Sequence, residues 1–411
     1  MVAVPMPGIR FADVPPPTAD VVVIGGGIVG CATAFFAARA GLQVVVLERR
    51  AALATLTTPA STGAFRLQFD NPEEIELVRE GVDLFAAFAE RTGLDGWDLG
   101  LRRQGYLFAA RTEASHERAR RLVERQHGWG LTDVELLDGD EARRRFPHLG
   151  PDVIGARYRA GDGWLDPRRL ALGYAAAASD PTRIADATPG GGATFVVGAD
   201  VTGIAAGAVT GSSGSVTAGS VVIATGPFLA ATATLAGLDV ALRPTRRQKL
   251  VLPDLPEVPP DAPMTIDEET AAHWRPASRG AFALWTEAAT PGSPPLDDVP
   301  TTADWALGLL DPRSDHSLAC VSPFWHDVWL AGTATWYQQA GQYEYTPDRR
   351  PYLGPTSVPG VYLNGGYSGH GIMTSTGGSR QLVEMLVGRI DPATHPLRPD
   401  RPMERREFDI L

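Results

Sequence analysis

Lysine is almost missing from this chain. Of 37 Lys+Arg in 411 residues, only Lys249 is a lysine, so any chemistry that needs a side-chain amine has one residue to draw on. Cysteine is nearly as scarce, with Cys31 and Cys320 alone. Their spacing offers no zinc site and no redox CxxC pair, and Cys31 falls in an apolar helical stretch. That pattern fits a reducing compartment, and the cytoplasm is the expected location. No run of about 18 apolar residues occurs, so no transmembrane helix is expected. The opening stretch MVAVPMPGIRFADVPPPTAD has no basic segment followed by an apolar one, so no secretory signal is expected. Positive charge is in deficit, with a formal net charge of -11. This excludes non-specific nucleic-acid binding and docking on anionic lipid through a basic patch.

What is present is enough for a large core: 44% of residues are hydrophobic, and the length suits one large or two interleaved domains. Residues 1–17 read as a Pro-rich N-terminal arm. Residues 20–24 (DVVVI) are a continuous apolar run, as in a central parallel strand. A glycine turn follows, then a helix over 28–40 with Gly41 at its C-cap, then a second buried strand over 43–47 that ends at Glu48. This is one βαβ unit. Helices are expected over 72–92 and 113–127, a β-meander with Gly/Ser turns over 187–222, and loops over 253–263 and 289–303.

Gly25-x-Gly27-x-x-Gly30 sits between that first strand and its helix. The first glycine allows the turn, the second lets backbone approach a pyrophosphate, and the third lets helix and strand pack closely. The helix start then offers free N–H groups and a positive dipole end to phosphate. Glu48 stands where a carboxylate accepts hydrogen bonds from an adenosine ribose. An acidic residue there disfavours a 2′-phosphorylated nucleotide but does not separate NAD from FAD.

Further pieces spread along the chain carry a resemblance: VVVIGGGIVGCATAFFAARAGLQVVVLER at 21–49, STGAFR at 61–66, GWLDP at 163–167, GADVTGI at 198–204, IATG at 223–226, TPDRRPYLG at 346–354 and GGYSGHGIM at 365–373. With these the sequence resembles the D-amino-acid oxidase-like superfamily of FAD-dependent oxidoreductases, in its branch of sarcosine oxidase, glycine oxidase and sarcosine dehydrogenase. The resemblance implies a fold of mixed α/β and α+β class: a Rossmann-like FAD-binding domain plus a substrate domain with a mainly antiparallel β-sheet. It implies FAD-binding segments at 18–80, 147–235 and 336–395, a substrate domain from 81–146 and 236–335, and a C-terminal tail at 396–411. It also implies FAD contacts from Gly25, Gly27, Ile28, Val29, Gly30, Glu48 and Arg49, and from Ser61 and Thr62 in a loop beside the flavin ring. Val201 would present its backbone to the adenine, and Ala224, Thr225 and Gly226 would form a strand-end turn near the nucleotide. Gly366, Tyr367, Ser368, Gly369, Gly371, Ile372 and Met373 would run into a helix whose start stabilises the reduced flavin. Arg66 and His370 match the family's catalytic pair beside the flavin. Phe69, Trp336 and Tyr343 would line the substrate space.

The reaction implied is oxidation of a C–N bond in a small amine, N-alkyl amine or amino-acid-like substrate, with hydride passing to the flavin and O2 or another electron acceptor reoxidising it. Three departures bear on it. Phe69 and Met373 stand where relatives of the monomeric sarcosine oxidase type hold a substrate carboxylate with an arginine and a lysine. Either the substrate lacks that carboxylate, or another arginine binds it, with Arg275 and Arg102 the candidates. The lysine that promotes reaction with oxygen in those relatives is missing from the strand GAFALWT at 280–286, so oxidase and dehydrogenase both stay open. Gly341 replaces a cysteine anchor, and no histidine occurs between Glu48 and His116, so FAD is expected to be non-covalent. The alternatives are an FAD-dependent dehydrogenase of a 2-hydroxy acid or other C–O bond, and a flavin-bearing subunit of a larger complex. Aromatic hydroxylases of related fold are disfavoured by the lack of their late GD motif. Oligomeric state stays open.

Overall fold

A computed structural model describes residues 8–287 and 289–404. Residues 1–7 of the N-terminal arm and 405–411 of the C-terminal tail lie outside the described residues. Two large sheets organise the chain. The first runs Tyr352–Pro355, Val361–Gly365, Gly214–Ile223, Thr18–Ile24, Gln43–Glu48, Gly192–Val197. Along this order four pairings are parallel and the Tyr352–Pro355 edge is antiparallel, while Ala208–Gly211 and Val201–Ala205 branch from Gly214–Ile223 as antiparallel hairpins. Parallel strands need both faces covered, which is why DVVVI and QVVVL are apolar throughout. Helices Ile28–Arg39, Pro167–Ser179, Gly371–Leu386 and Pro72–Ala86 cover one face, bringing Phe35, Phe36, Tyr174 and Leu382 against Val21 and Val23. On the other face Ile204, Val209, Val216 and Leu229 close over Val22, Val45 and Leu363.

The stretch expected as one meander divides in two. Val201–Ala205, Ala208–Gly211 and Gly214–Ile223 do form antiparallel hairpins. Gly192–Val197 instead pairs in parallel with Gln43–Glu48, because its run ATFVV is buried enough to serve as a sheet-edge strand of the first βαβ unit. The helix expected over 72–92 breaks at Ala87 into Pro72–Ala86 and Phe88–Thr92.

The second sheet runs Tyr337–Tyr345, Arg243–Leu252, Gly280–Trp285, Ala272–Ala277, Met264–Asp267, Tyr106–Ala110, Gly155–Arg159, Glu135–Asp138. Every pairing is antiparallel except Met264–Asp267 with Tyr106–Ala110. It takes one strand from 147–235 and one from 336–395, segments expected with the cofactor. One face packs Trp274, Leu250, Leu252 and Ala283 on helices Ala303–Leu310 and Phe324–Ala331. Alternation sends Lys249, Arg275, Phe282, Tyr106 and Phe108 to the opposite face. The segment 57–66 lies over that face: Ala60 and Thr57 approach Gly341, and Ala64 packs with Tyr106 and Phe108. No described helix is long and apolar enough to cross a membrane.

The turn at 346–350 is fixed by a buried ion pair. Arg401 donates to Asp348 through Nε (2.8 Å) and NH2 (2.9 Å), and to the carbonyls of Leu397 and Arg350. Burial works against the Asp348 charge, yet these bonds outweigh it and hold the carboxyl below its ordinary value. A depressed carboxyl stabilises the fold above the unfolded pKa of about 3.9 and stops doing so as pH falls through the folded value. Arg401→Ala should therefore cost about 3 kcal/mol in urea unfolding near neutrality, because it leaves Asp348 buried without its cation. The gap to wild type should narrow in acid. Equal stability of the two proteins at neutral pH would show that the pair contributes nothing.

Candidate active site

Where the first two parallel strands end, Glu48 joins two turns. Its Oε2 accepts from Gly26 N at 2.6 Å and its Oε1 from Arg50 N at 2.8 Å. Helix Ile28–Arg39 starts at Gly27 with no side-chain cap; Thr58 Oγ1 takes only the Ile28 N–H, at 3.2 Å. A Cβ on Gly30 would collide with the Gly25 carbonyl oxygen, so only glycine lets the helix start this close to the turn. Around this turn runs an open cleft. Gly25, Gly27, Ile28, Val29, Glu48, Arg49, Val201, Ala224, Thr225 and Gly226 line it, and so do Ser61, Tyr343, Gly369, Gly371 and Ile372.

Helix Gly371–Leu386 also reaches the cleft without a side-chain cap. By contrast Asn71, Thr112 and Asp166 cap the helices Pro72–Ala86, Glu113–Gly128 and Pro167–Ser179. Among the described residues, the two long helices whose starts line the cleft are thus the ones without a capping side chain at the N-cap. That arrangement suits a bound diphosphate at one helix and an electron-rich ring at the other.

Beside Gly369 and Gly371 lies a buried row of charged groups. Arg66 is 1% exposed; its NH1 donates to Gln68 O at 3.0 Å and its NH2 lies 3.4 Å from His370 Nε2. His370 Nδ1 lies 3.2 Å from Glu74 Oε1, and Asn71 Nδ2 donates to Glu74 Oε2 at 2.8 Å. A guanidinium only donates and a carboxylate only accepts. A neutral ring in this place would carry its hydrogen on Nδ1, toward Glu74, and turn its Nε2 lone pair to Arg66. Phe69 packs into this row, edge-on to His370 at 4.8 Å and 4.4 Å beneath the Arg66 guanidinium.

Other expected residues stand elsewhere. Gly366, Tyr367, Ser368 and Met373 are buried behind the cleft wall rather than lining it. The Thr62 carbonyl accepts from Arg275 Nε at 3.0 Å. Trp336, expected in the substrate space, packs instead against the cluster around Trp325 on the far face of the second sheet, because it precedes the Tyr337–Tyr345 strand on the side that the helices cover. Arg49 lines the cleft, lies 3.9 Å over the Phe228 ring and pairs with Asp297.

Three contributors went unforeseen. Glu74 carries no signal beyond its place in the first turn of an amphipathic helix. Asp297 sits in a segment legible only as a loop. Glu344 lines the cleft beside Tyr343, and burial pushes its carboxyl up to about 7. Neighbours in a strand point to opposite faces, so simple alternation would not bring both to one cavity.

A second cavity shares Ser61 with the cleft. Pro59, Arg102, Trp164, Lys249, Arg275 and Phe282 are among its walls. Lys249 stands one strand over from Gly280–Trp285, opposite Leu284. Among the described residues no group of three or more His, Cys, Asp or Glu could hold a metal ion.

A glycine turn under an uncapped helix, a strand-end carboxylate and a second sheet closing over the cleft define a dinucleotide-dependent oxidoreductase. The family model for DAO, the FAD dependent oxidoreductases, matches residues 20–385, and the chain belongs to that family, with FAD as its cofactor. FAD-dependent oxidoreductase domain-containing protein 1 of Xenopus laevis is 26% identical over 418 residues, covering 91% of this chain and 80% of its own. Human mitochondrial sarcosine dehydrogenase is 25% identical over 406 residues, covering 92% of this chain. The chain spans only 41% of that larger protein. The structure of glycine oxidase from Geobacillus kaustophilus superposes with a TM-score of 0.77 at 23% identity, over 95% of this chain and 100% of that one; at this identity the likeness is one of fold.

Glu48→Ala removes the acceptor that joins the two turns at the cleft. The FAD dissociation constant, measured by titrating apoprotein and following flavin fluorescence, should rise about tenfold or more. Unchanged affinity would take Glu48 out of cofactor binding.

Proposed function

We propose that this protein oxidises a C–N bond of a small amine or amino-acid-like substrate. The observation that carries this reading is the likeness to sarcosine dehydrogenase over 92% of the chain. FAD, when bound, supplies the two-electron acceptor for that bond. In this reading Gly25, Gly27 and the start of helix Ile28–Arg39 would hold the diphosphate, Glu48 and Val201 the adenosine, and Ser61, Gly369, Gly371 and Ile372 the ring. Attachment is non-covalent: Gly341 offers no thiol, and no histidine stands between Glu48 and His116.

Arg66 places a buried positive charge beside the ring, where it favours the reduced, anionic form. His370 holds Arg66 in position, and Glu74 holds His370 in one tautomer. Glu74 also offsets the arginine's charge, so the row is close to neutral overall. Tyr343 packs against Gly369, where a Cβ would collide with its ring, and gives the cleft an apolar wall that excludes water.

Two measurements check this. The FAD-loaded protein is mixed without air with N-methyl amino acids, free amino acids and secondary amines while the visible flavin band is followed. Bleaching by at least one amine is expected, and recovery in air then separates an oxidase from a dehydrogenase. A yellow protein bleached by hydroxy acids but by no amine would overturn the reading. The second measurement is the flavin midpoint potential of Glu74→Gln. Removing one buried negative charge near Arg66 should make the potential more positive and tighten sulfite binding to the flavin. An unchanged potential would show that Glu74 acts only on packing.

A further inference from the structure

Lys249 and Arg275 stand on strands separated by Gly280–Trp285, with Lys249 opposite Leu284 and Arg275 opposite Phe282. Both side chains leave the same face of the sheet and lie against one ring: Lys249 Nζ is 4.6 Å and the Arg275 guanidinium carbon 4.5 Å from the Phe282 centroid. Lys249 is 3% and Arg275 5% exposed, yet both line the second cavity. Their hydrogen-bond partners among the described residues are backbone carbonyls. Lys249 Nζ donates to Pro59 O at 3.0 Å and Ser61 O at 2.9 Å. Arg275 donates through Nε and NH2 to Thr62 O and through NH1 to Pro276 O at 2.7 Å. Asp166 also lines the cavity, but it accepts from the N–H groups of Arg168 and Arg169 at a helix start.

An ammonium carries three N–H bonds and a guanidinium five, so one lysine donor and two arginine donors remain after these contacts. Two buried cations this close, with no ion pair among the described residues and only the charge of Asp166 acting on them from a distance, are costly. Burial, then the neighbouring Arg275 charge, push Lys249 down to about 7, and burial pushes Arg275 down to about 9. A planar carboxylate offers two oxygens, one for each cation. Trp164, Phe282 and Pro276 would cover an apolar body beside it. We propose that Lys249 and Arg275 form a carboxylate-binding pair on the floor of the second cavity, for a small monocarboxylate with a short apolar body. That carboxylate belongs either to the substrate itself or to a separate ligand. The link to turnover rests on the amine-oxidising reading, whereas the binding does not.

The single lysine makes the test direct. A small amine-acylating reagent applied to the FAD-loaded protein, read by mass spectrometry, reports on Lys249 apart from the chain's amino terminus. Propionate should slow acylation of Lys249, and the uncharged propionamide should not. Arg275→Met should weaken protection by propionate about tenfold or more, and Arg275→Lys should keep part of it. Equal protection by propionamide, or none by propionate, overturns the proposal. If the Arg275 variants do not fold, the comparison of the two compounds on the unaltered protein decides by itself. Propionate that raises KM for an oxidised amine at unchanged kcat supports the pair as the substrate's own carboxylate site. Propionate that lowers kcat at unchanged KM supports a separate ligand. Failure of every amine to reduce the flavin would sink the functional reading and leave the labelling result intact, so the two failures are distinguishable.

Discussion

The cleft depends on two helix starts whose own N-cap residues provide no capping side chain. A helix start leaves four backbone N–H groups without an intrahelical partner, and a buried donor without a partner costs about 1–3 kcal/mol. Three long helices of this protein meet that cost with Asn71, Thr112 and Asp166 as caps. Helices Ile28–Arg39 and Gly371–Leu386 do not, and both open onto the same cavity. The tight turn at 25–27, the small residues around 224–226 and the glycines before the last helix then serve one purpose. They let backbone donors approach a ligand without side chains in the way.

The second sheet carries a different problem, buried positive charge. Around the 66–69 segment it is met with anions. Arg157 pairs with Glu268 at 2.9 Å, and Arg159 pairs with Asp162 at 2.6 Å. Asp162 also accepts from Leu67 N and Gln68 Nε2, each at 3.0 Å. This network anchors the segment that carries Arg66, so the arginine is fixed by its neighbours' backbone as well as by His370. Across the same face, toward Lys249 and Arg275, the hydrogen bonds go to carbonyl oxygens, and Asp166 acts on the charge only from a distance. The contrast between the two halves of one sheet face separates a structural charge network from a site with donors to spare.

How much could be read beforehand follows from the range of each interaction. The βαβ unit, its glycine turn and Glu48 are legible because strand, turn and helix are contiguous and each has its own pattern. The helix over 113–127 is legible for the same reason. Pairings between distant segments are not. The buried run at 192–197 could join a hairpin or a parallel sheet, and only the exposed edge of Gln43–Glu48 decides. Trp336 reads as an aromatic near the active site because its chain neighbours are there, yet one residue's displacement along a strand changes the face. The Arg66–His370 pair is legible by resemblance. Glu74 is not, since a carboxylate in a helix's first turn is ordinary, and only the fold turns it toward a histidine 296 residues away.

The first sheet also has a consequence in time. Its strand Val361–Gly365 pairs with Gly214–Ile223 and the helix that follows supplies one wall of the cleft. On a ribosome the βαβ turn emerges before its partners, and the pocket it serves cannot close until more than three hundred further residues have been made. Long-range parallel pairing is slow, because the loop between partners must close before any contact offsets its entropy. In that interval the turn at 25–30 is a half-built site, and flavin capture follows closure of the sheet, which it then stabilises by mass action.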